Sequence, residues 1–157
     1  MNPITPAQQD VLHFHMLFGR APSNAMFQRD VAAAEANPTG FESRFDLAIA
    51  RSTLFRGNAA GLDRLVDRVL DNLAISGDER SIVRTELRAE LLEAGPRHRG
   101  SAILDFIRSR DDGVLSPAEN AALVHATNPA SMAFLTLPAA ATSARPSATN
   151  FQLTAAG

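Results

Sequence analysis

The amino-acid sequence predicts an all-α fold of about seven short antiparallel helices in one or two small bundles. Apolar residues recur at helical steps of three and four along most of residues 1–137. Residue types that start and stop helices divide these stripes into pieces of about three turns. An alternating strand pattern of useful length is missing before residue 138. We therefore expect residues 1–137 to form one helical domain with short connections.

Helices one to three are predicted from their start and stop residues. Thr5 is a good capping residue, Pro6 fits a first helical position, and Gly19 is typical of the residue just past a helix end. Ser23 begins a second helix, which the Asn-Pro-Thr-Gly run at 37–40 ends near residue 36. The third helix is expected from Phe41 or Ser43 to Phe55. Its predicted core residues are Phe41, Phe45, Ile49 and Leu54.

The fourth helix has the clearest two-faced pattern. Leu65, Val69 and Leu73 lie on an apolar stripe that should be buried. Charged residues fill the other face and include a row of three aspartates. A row of carboxylates can attract calcium, but neighbouring arginines favour a solvated face paired at i, i+3. The row is Asp63, Asp67 and Asp71, and the arginines are Arg64 and Arg68.

Capping signals define the last three helices. Ser76 and Glu79 have the spacing of a capping box at the start of helix five, which should end at Gly95. The sixth helix is expected over about residues 100–108. Ser116 and Glu119 form a second capping-box pattern, which begins a seventh helix that ends before residue 128.

Composition excludes several chemistries. The chain has no Cys, Trp or Tyr, and all 15 of its Lys-plus-Arg residues are Arg. Disulfides, thiolate catalysis, Cys-ligated metals and lysine Schiff bases are therefore excluded. A net charge of −2 argues against a general nucleic-acid partner. No catalytic motif is visible, so we predict a non-enzymatic protein with no cofactor or metal in this segment.

The histidines do not have the spacing of a metal site. His13 and His15 are two residues apart, so on a helix they point in different directions. A helical zinc site uses histidines at i, i+4. We therefore expect polar or half-buried histidines.

A basic cluster is the first candidate binding site. Arg97, His98 and Arg99 stand at the start of helix six, where the helix already carries partial positive charge and free N–H groups. Such a place suits a phosphate or carboxylate, although a solvated basic loop is the alternative. Arg20 is a second candidate for anion contact, with His15 beside it, or else a cationic cap of the first helix.

The two ends of the chain predict further features. Residues 138–149 are rich in Pro, Ala, Ser and Thr, which predicts a disordered linker, and residues 150–157 resemble the start of a β-strand in a β-rich region. The first six residues lack the basic and apolar parts of a Sec signal. No apolar run is long enough for a transmembrane segment. A cytoplasmic location and export through a C-terminal signal both remain open.

A family resemblance favours export. The run Leu17-Phe18-Gly19-Arg20-Ala21-Pro22 resembles the "(L/F)GRAP" core of DUF4214-like helical modules, which occur in type I-secreted, RTX-associated surface proteins. Ser23-Asn24-Ala25-Met26-Phe27 departs from the Asp and Gly-Leu-x-Tyr-Trp continuation of that pattern. Val69-Leu70-Asp71-Asn72-Leu73 is similar to a stretch of the second module. The overall layout resembles the N-terminal anchoring domain of a Caulobacter-type RTX S-layer protein.

The resemblance implies a cell-surface function. The expected role is anchoring a secreted S-layer-like protein to lipopolysaccharide O-antigen or another surface polysaccharide, outside the outer membrane. The five candidate residues named above would contact the glycan, and calcium binding is implied only for the full-length protein. The alternative is a self-association module that forms a homo-oligomer, filament or lattice without glycan binding.

Overall fold

The computed structural model describes residues 4–55, 59–110 and 113–137. The predicted linker and strand at residues 138–157 lie outside these ranges. Within them, the all-α prediction is confirmed. The seven helices are α1 Pro6–Leu17, α2 Asn24–Ala36, α3 Pro38–Arg51, α4 Ala59–Asn72, α5 Gly77–Ala94, α6 Arg99–Ser109 and α7 Pro117–Thr127.

Several predicted helix ends are confirmed by their hydrogen bonds. Thr5 and Gln8 form a capping box at the start of α1, and Ser116 and Glu119 form one at the start of α7. Gly19 follows α1 with a φ of +78°, a backbone conformation that residues other than glycine rarely adopt. Local contacts within one turn thus set these boundaries.

The predictions for the third helix and for the cap of the fifth are wrong in part. The run at 37–40 ends α2 after Ala36 as predicted, but the third helix begins at Pro38 and not at Phe41 or Ser43, because the side chain of Asn37 accepts a hydrogen bond from the backbone N–H of Gly40. That helix ends at residue 51, and Leu54 is exposed. Ser76 makes no side-chain cap bond in α5, where the carboxylate of Glu79 instead accepts a 2.7 Å hydrogen bond from Arg110.

A small antiparallel sheet was not predicted. Strand β1, Arg20–Ala21, pairs with β2, Leu135–Thr136, and the backbone N–H of Leu137 adds a 2.8 Å bond to the carbonyl of Gly19. Strands of two residues leave no alternating pattern to detect. Their pairing brings the segment after α7 back to the end of α1.

The core is one cluster of buried apolar residues drawn from all seven helices. Helix α1 is central, because residues 9–17 are all buried and the helix contacts α2, α4 and α7. Leu65 and Val69 are buried as predicted, whereas Leu73 is only partly buried. Polar residues of α1 therefore need partners on the helices around it.

The aspartate row of α4 pairs with α5, not with α4 itself. Arg80, Arg84 and Arg88 of α5 contact these carboxylates, with distances between 2.8 and 3.8 Å. The expected partners are used elsewhere: Arg64 donates to the carbonyl of Leu54 and Arg68 to that of Leu17. The predicted i, i+3 pairing on α4 is wrong because helix packing offers better-placed partners.

None of the helices in the described ranges has the length and apolar content needed to cross a membrane.

Candidate functional site

Two buried histidines on α1 each bind a carboxylate of another helix. His13 Nε2 lies 2.7 Å from Glu119 Oε2 on α7, and His15 Nε2 lies 3.0 Å from Asp30 Oδ2 on α2. The imidazoles point apart, as expected from their spacing. They are more deeply buried than predicted, with 3% and 2% of their surfaces exposed, because α1 is enclosed on both sides.

A third residue determines the protonation of His15. Arg20 Nε donates to His15 Nδ1 across 3.2 Å, so Nδ1 is an acceptor without a proton. The ring proton is therefore on Nε2, which donates to Asp30. Burial lowers the pKa of His15, and the charges of Arg20 and Arg44 lower it further, against the opposing effect of Asp30. His15 is accordingly neutral at pH 7.

Asp30 is a buried carboxylate surrounded by guanidinium groups. Its Oδ1 lies 3.5 Å from Arg29 Nε and 3.5 Å from Arg44 Nη2, while Oδ2 accepts from His15. We call Arg20, Arg29 and Arg44 the arginine cluster. Three positive charges face one carboxylate beside a neutral imidazole, so the cluster carries a positive excess. The side chains of Arg29 and Arg44 are 68% and 47% exposed, which leaves donors open to solvent.

Phenylalanine rings lie beneath two of these arginines. The guanidinium carbon of Arg20 is 4.4 Å from the ring centre of Phe134, and that of Arg44 is 5.2 Å from the ring centre of Phe14. Such cation–π contacts orient the planar groups. Phe134 reaches this place through the β1–β2 pairing. The cluster therefore depends on residues far apart in the chain.

The turn after α1 positions Arg20. Gly19 takes a left-handed conformation there, and a Cβ on it would lie 3.1 Å from Arg68 Nη1. Arg68 itself donates to the carbonyl of Leu17 near the helix end. Gly19 and Arg20, which belong to the run that resembles the DUF4214-like modules, thus have a structural role at this site.

The other predicted cluster has a partner within the chain. At the start of α6, the carboxylate of Asp46 accepts 2.7 and 2.8 Å hydrogen bonds from the backbone N–H and hydroxyl of Ser101 and lies 3.8 Å from His98 Nδ1. Arg97 and His98 are exposed, whereas Arg99 is buried. The N-terminus of α6, expected to attract an external anion, is therefore occupied by a carboxylate of α3.

The structure thus divides the five predicted residues between two places. It brings His15 and Arg20 into contact, and it leaves Arg97, His98 and Arg99 at the start of α6, where His98 lies near Asp46. Sequence reasoning missed the remaining members of the arginine cluster. One available signal was Asp30, which lies between Phe27 and Ala34 at the buried positions of α2. A carboxylate on an apolar stripe indicates a buried partner.

The second histidine pair lies in a different electrostatic setting. Glu119 lines a cavity of about 190 Å³ with Gln9, Glu79 and Arg110. Both Glu119 oxygens are used, by His13 and by the backbone N–H of Ser116, and Arg110 is paired with Glu79. The charges named here are matched, so the arginine cluster is the stronger candidate for binding an anion.

Comparison with protein-family models, with curated proteins and with solved structures finds no match to this chain. Among the described residues, no group of three or more His, Asp or Glu side chains is placed to hold a metal ion.

Proposed function

We propose that this chain is a non-enzymatic module that anchors a larger secreted protein to anionic glycans of the cell surface. Lipopolysaccharide is the proposed ligand. The supporting observation is the arginine cluster, in which Arg29 and Arg44 share the single carboxylate of Asp30 and Arg20 contacts the neutral His15 beside it. Donors left over on the exposed arginines would bind phosphate or carboxylate groups of the glycan.

The chemistry of arginine suits this role. A guanidinium is planar and binds phosphate or carboxylate through two parallel hydrogen bonds. The rings of Phe134 and Phe14 already orient Arg20 and Arg44, which lowers the entropy lost when a ligand binds. One site would bind weakly, but linked copies in a lattice would raise the effective concentration.

The family resemblance supports the same proposal. Gly19 and Arg20, which carry it, also shape the arginine cluster. The chain would then form the N-terminal part of an S-layer-like protein, exported by type I secretion and held on the outer face of the outer membrane. Calcium would bind in an RTX region beyond this segment.

The proposal is tested by cosedimentation with purified lipopolysaccharide. The double variant Arg29→Gln/Arg44→Gln removes the two exposed members of the cluster. Affinity should fall by on the order of tenfold per arginine, because each loses a charge-assisted hydrogen bond. The loss should be smaller at high salt, which already screens the wild-type interaction.

The matched control is Arg84→Gln/Arg88→Gln on α5. It removes the same charge from a surface where three arginines face three aspartates, so that no positive excess is present there. Equal affinity of wild type and both double variants would contradict the proposal. An equal loss in both would indicate attraction by overall charge and no specific site.

Self-association is the second candidate function. Val124, Met132 and Leu135 are exposed apolar residues on α7 and around β2, and the bond from His125 to the carbonyl of Ala133 joins these segments. Exposed apolar groups of this kind are typical of protein interfaces. Sedimentation velocity of wild type and Val124→Ser/Met132→Ser tests it. A monomer at all concentrations in both proteins would contradict self-association.

A further inference from the structure

We propose that the arginine cluster takes up a proton at His15 when it binds an anion, so that affinity for anions rises as the pH falls. The inference rests on the proposed function, because it requires the cluster to be an anion site. It concerns how that site is regulated.

A second proton on the His15 imidazole can bind only at Nδ1. Nε2 already donates to Asp30, and Nδ1 accepts from Arg20 Nε at 3.2 Å. A proton on Nδ1 would place one N–H against another and one positive charge against another. Protonation therefore requires Arg20 to release Nδ1 or an added negative charge to compensate it.

The charged groups around His15 are mostly positive. Arg20 of β1 contacts the ring, α2 contributes Asp30 and Arg29, and α3 contributes Arg44. On α1 itself, His13 is turned toward Glu119 of α7. From the side of β2 the neighbour is the uncharged ring of Phe134, 5.9 Å away. An anion on the cluster would supply the missing negative charge.

Anion binding and protonation should therefore favour each other. A bound anion would offset the arginine charges that keep His15 neutral, and Asp30 would still hold the imidazolium. Arg20, released from Nδ1, would gain a donor for the anion. Because linkage is reciprocal, any anion that raises proton affinity at His15 must bind more tightly to the protonated form.

The experiment uses sulfate, whose charge is constant between about pH 5 and 8. Isothermal titration calorimetry in buffers of different ionisation enthalpy measures the protons taken up. We expect uptake of up to one proton per site, with affinity rising by at most about tenfold per pH unit as the pH falls. The titration of the His15 ring, followed by NMR, should shift to higher pH in sulfate.

His15→Gln should abolish the pH dependence, and His13→Gln is the matched control. It removes the other buried histidine of α1, which contacts Glu119 instead of the cluster, and should leave the pH dependence in place. If His15→Gln fails to fold, the NMR titration of wild type decides. Sulfate binding without proton uptake, or an unshifted His15 titration, would overturn the inference alone. Absence of sulfate binding at every pH would overturn the proposed function with it.

Discussion

The two histidine pairs of α1 look alike but differ in what surrounds them. His13 and His15 are both buried, and each holds a carboxylate of a neighbouring helix. Glu119 is completed by the neutral backbone N–H of Ser116 within a capping box. Asp30 is instead completed by charged arginines that solvent can reach. A buried pair closed by neutral donors holds helices together, whereas one surrounded by excess charge can also attract a ligand.

The pKa values reflect this difference. Burial acts to raise the pKa of Glu119, but the hydrogen bonds from His13 and Ser116 outweigh it, and the pKa lies below its ordinary value. At His15, burial and the arginine charges act together to lower the pKa. The hydrogen bonds of the first pair thus stabilise Glu119 in its charged form. In the second pair, burial and the nearby arginines stabilise His15 in its neutral form.

The largest expected effect is from Glu119→Ala. It breaks the pair with His13 and also removes the reciprocal bond to Ser116. We expect the free energy of unfolding to fall by about 3–5 kcal/mol, since the ring of His13 and the backbone N–H of Ser116 both lose their buried acceptor. Urea denaturation measures the change, and added sulfate should not restore it. A loss below about 1 kcal/mol would mean that this pair does not hold α1 to α7.

Asp30→Ala should cost less and respond differently. It leaves the His15 N–H unsatisfied, at a cost of about 1–3 kcal/mol, but Arg29 and Arg44 stay solvated. Sulfate should bind the unpaired cluster and stabilise this variant more than wild type, because a ligand of the native state shifts the folding equilibrium. Thermal unfolding with and without sulfate tests this, and an equal shift in both proteins would remove the contrast between the two pairs.

The pH dependence of stability should separate the pairs. His15 has a folded pKa below its ordinary value of 6.5, so the free energy of unfolding should fall as the pH drops below 6.5. The stability contributed by Glu119 is present above its ordinary value of 4.5 and is lost as the pH falls through the lower folded pKa. Comparing His15→Gln with wild type by denaturation at each pH checks this. In His15→Gln, the loss of stability that begins below pH 6.5 should disappear, whereas the loss at lower pH that comes from Glu119 should remain.

The smallest effect is expected in the ladder between α4 and α5. Arg84 and Asp67 pair at 3.0 Å, but both side chains are more than a third exposed. Arg84→Gln should change the free energy of unfolding by about 0–1 kcal/mol, because water screens exposed ion pairs. A larger loss, measured by urea denaturation, would show that matched surface charges here matter as much as the buried pairs.

Much of the secondary structure was predictable because its causes are local. The capping boxes at Thr5 and Ser116 and the glycine after α1 act within one helical turn. Reliance on signals within one helical turn also explains the errors. Asn37 both ends α2 and begins α3, and the sequence signal was used only for the first of these. Ser76 has the spacing of a cap, but Glu79 contacts Arg110, a partner that is distant in the chain.

By itself, the sequence determined the helical class and most of the helix boundaries. It also placed Arg20 and His15 near the end of the first helix as candidates for anion contact. Only the tertiary structure decided which charges meet. It put Asp46 at the start of α6, α5 arginines along the aspartate row, and Phe134 beneath Arg20. The physical reason is range: helix signals act over about four residues, whereas an ion pair forms wherever packing brings two side chains together.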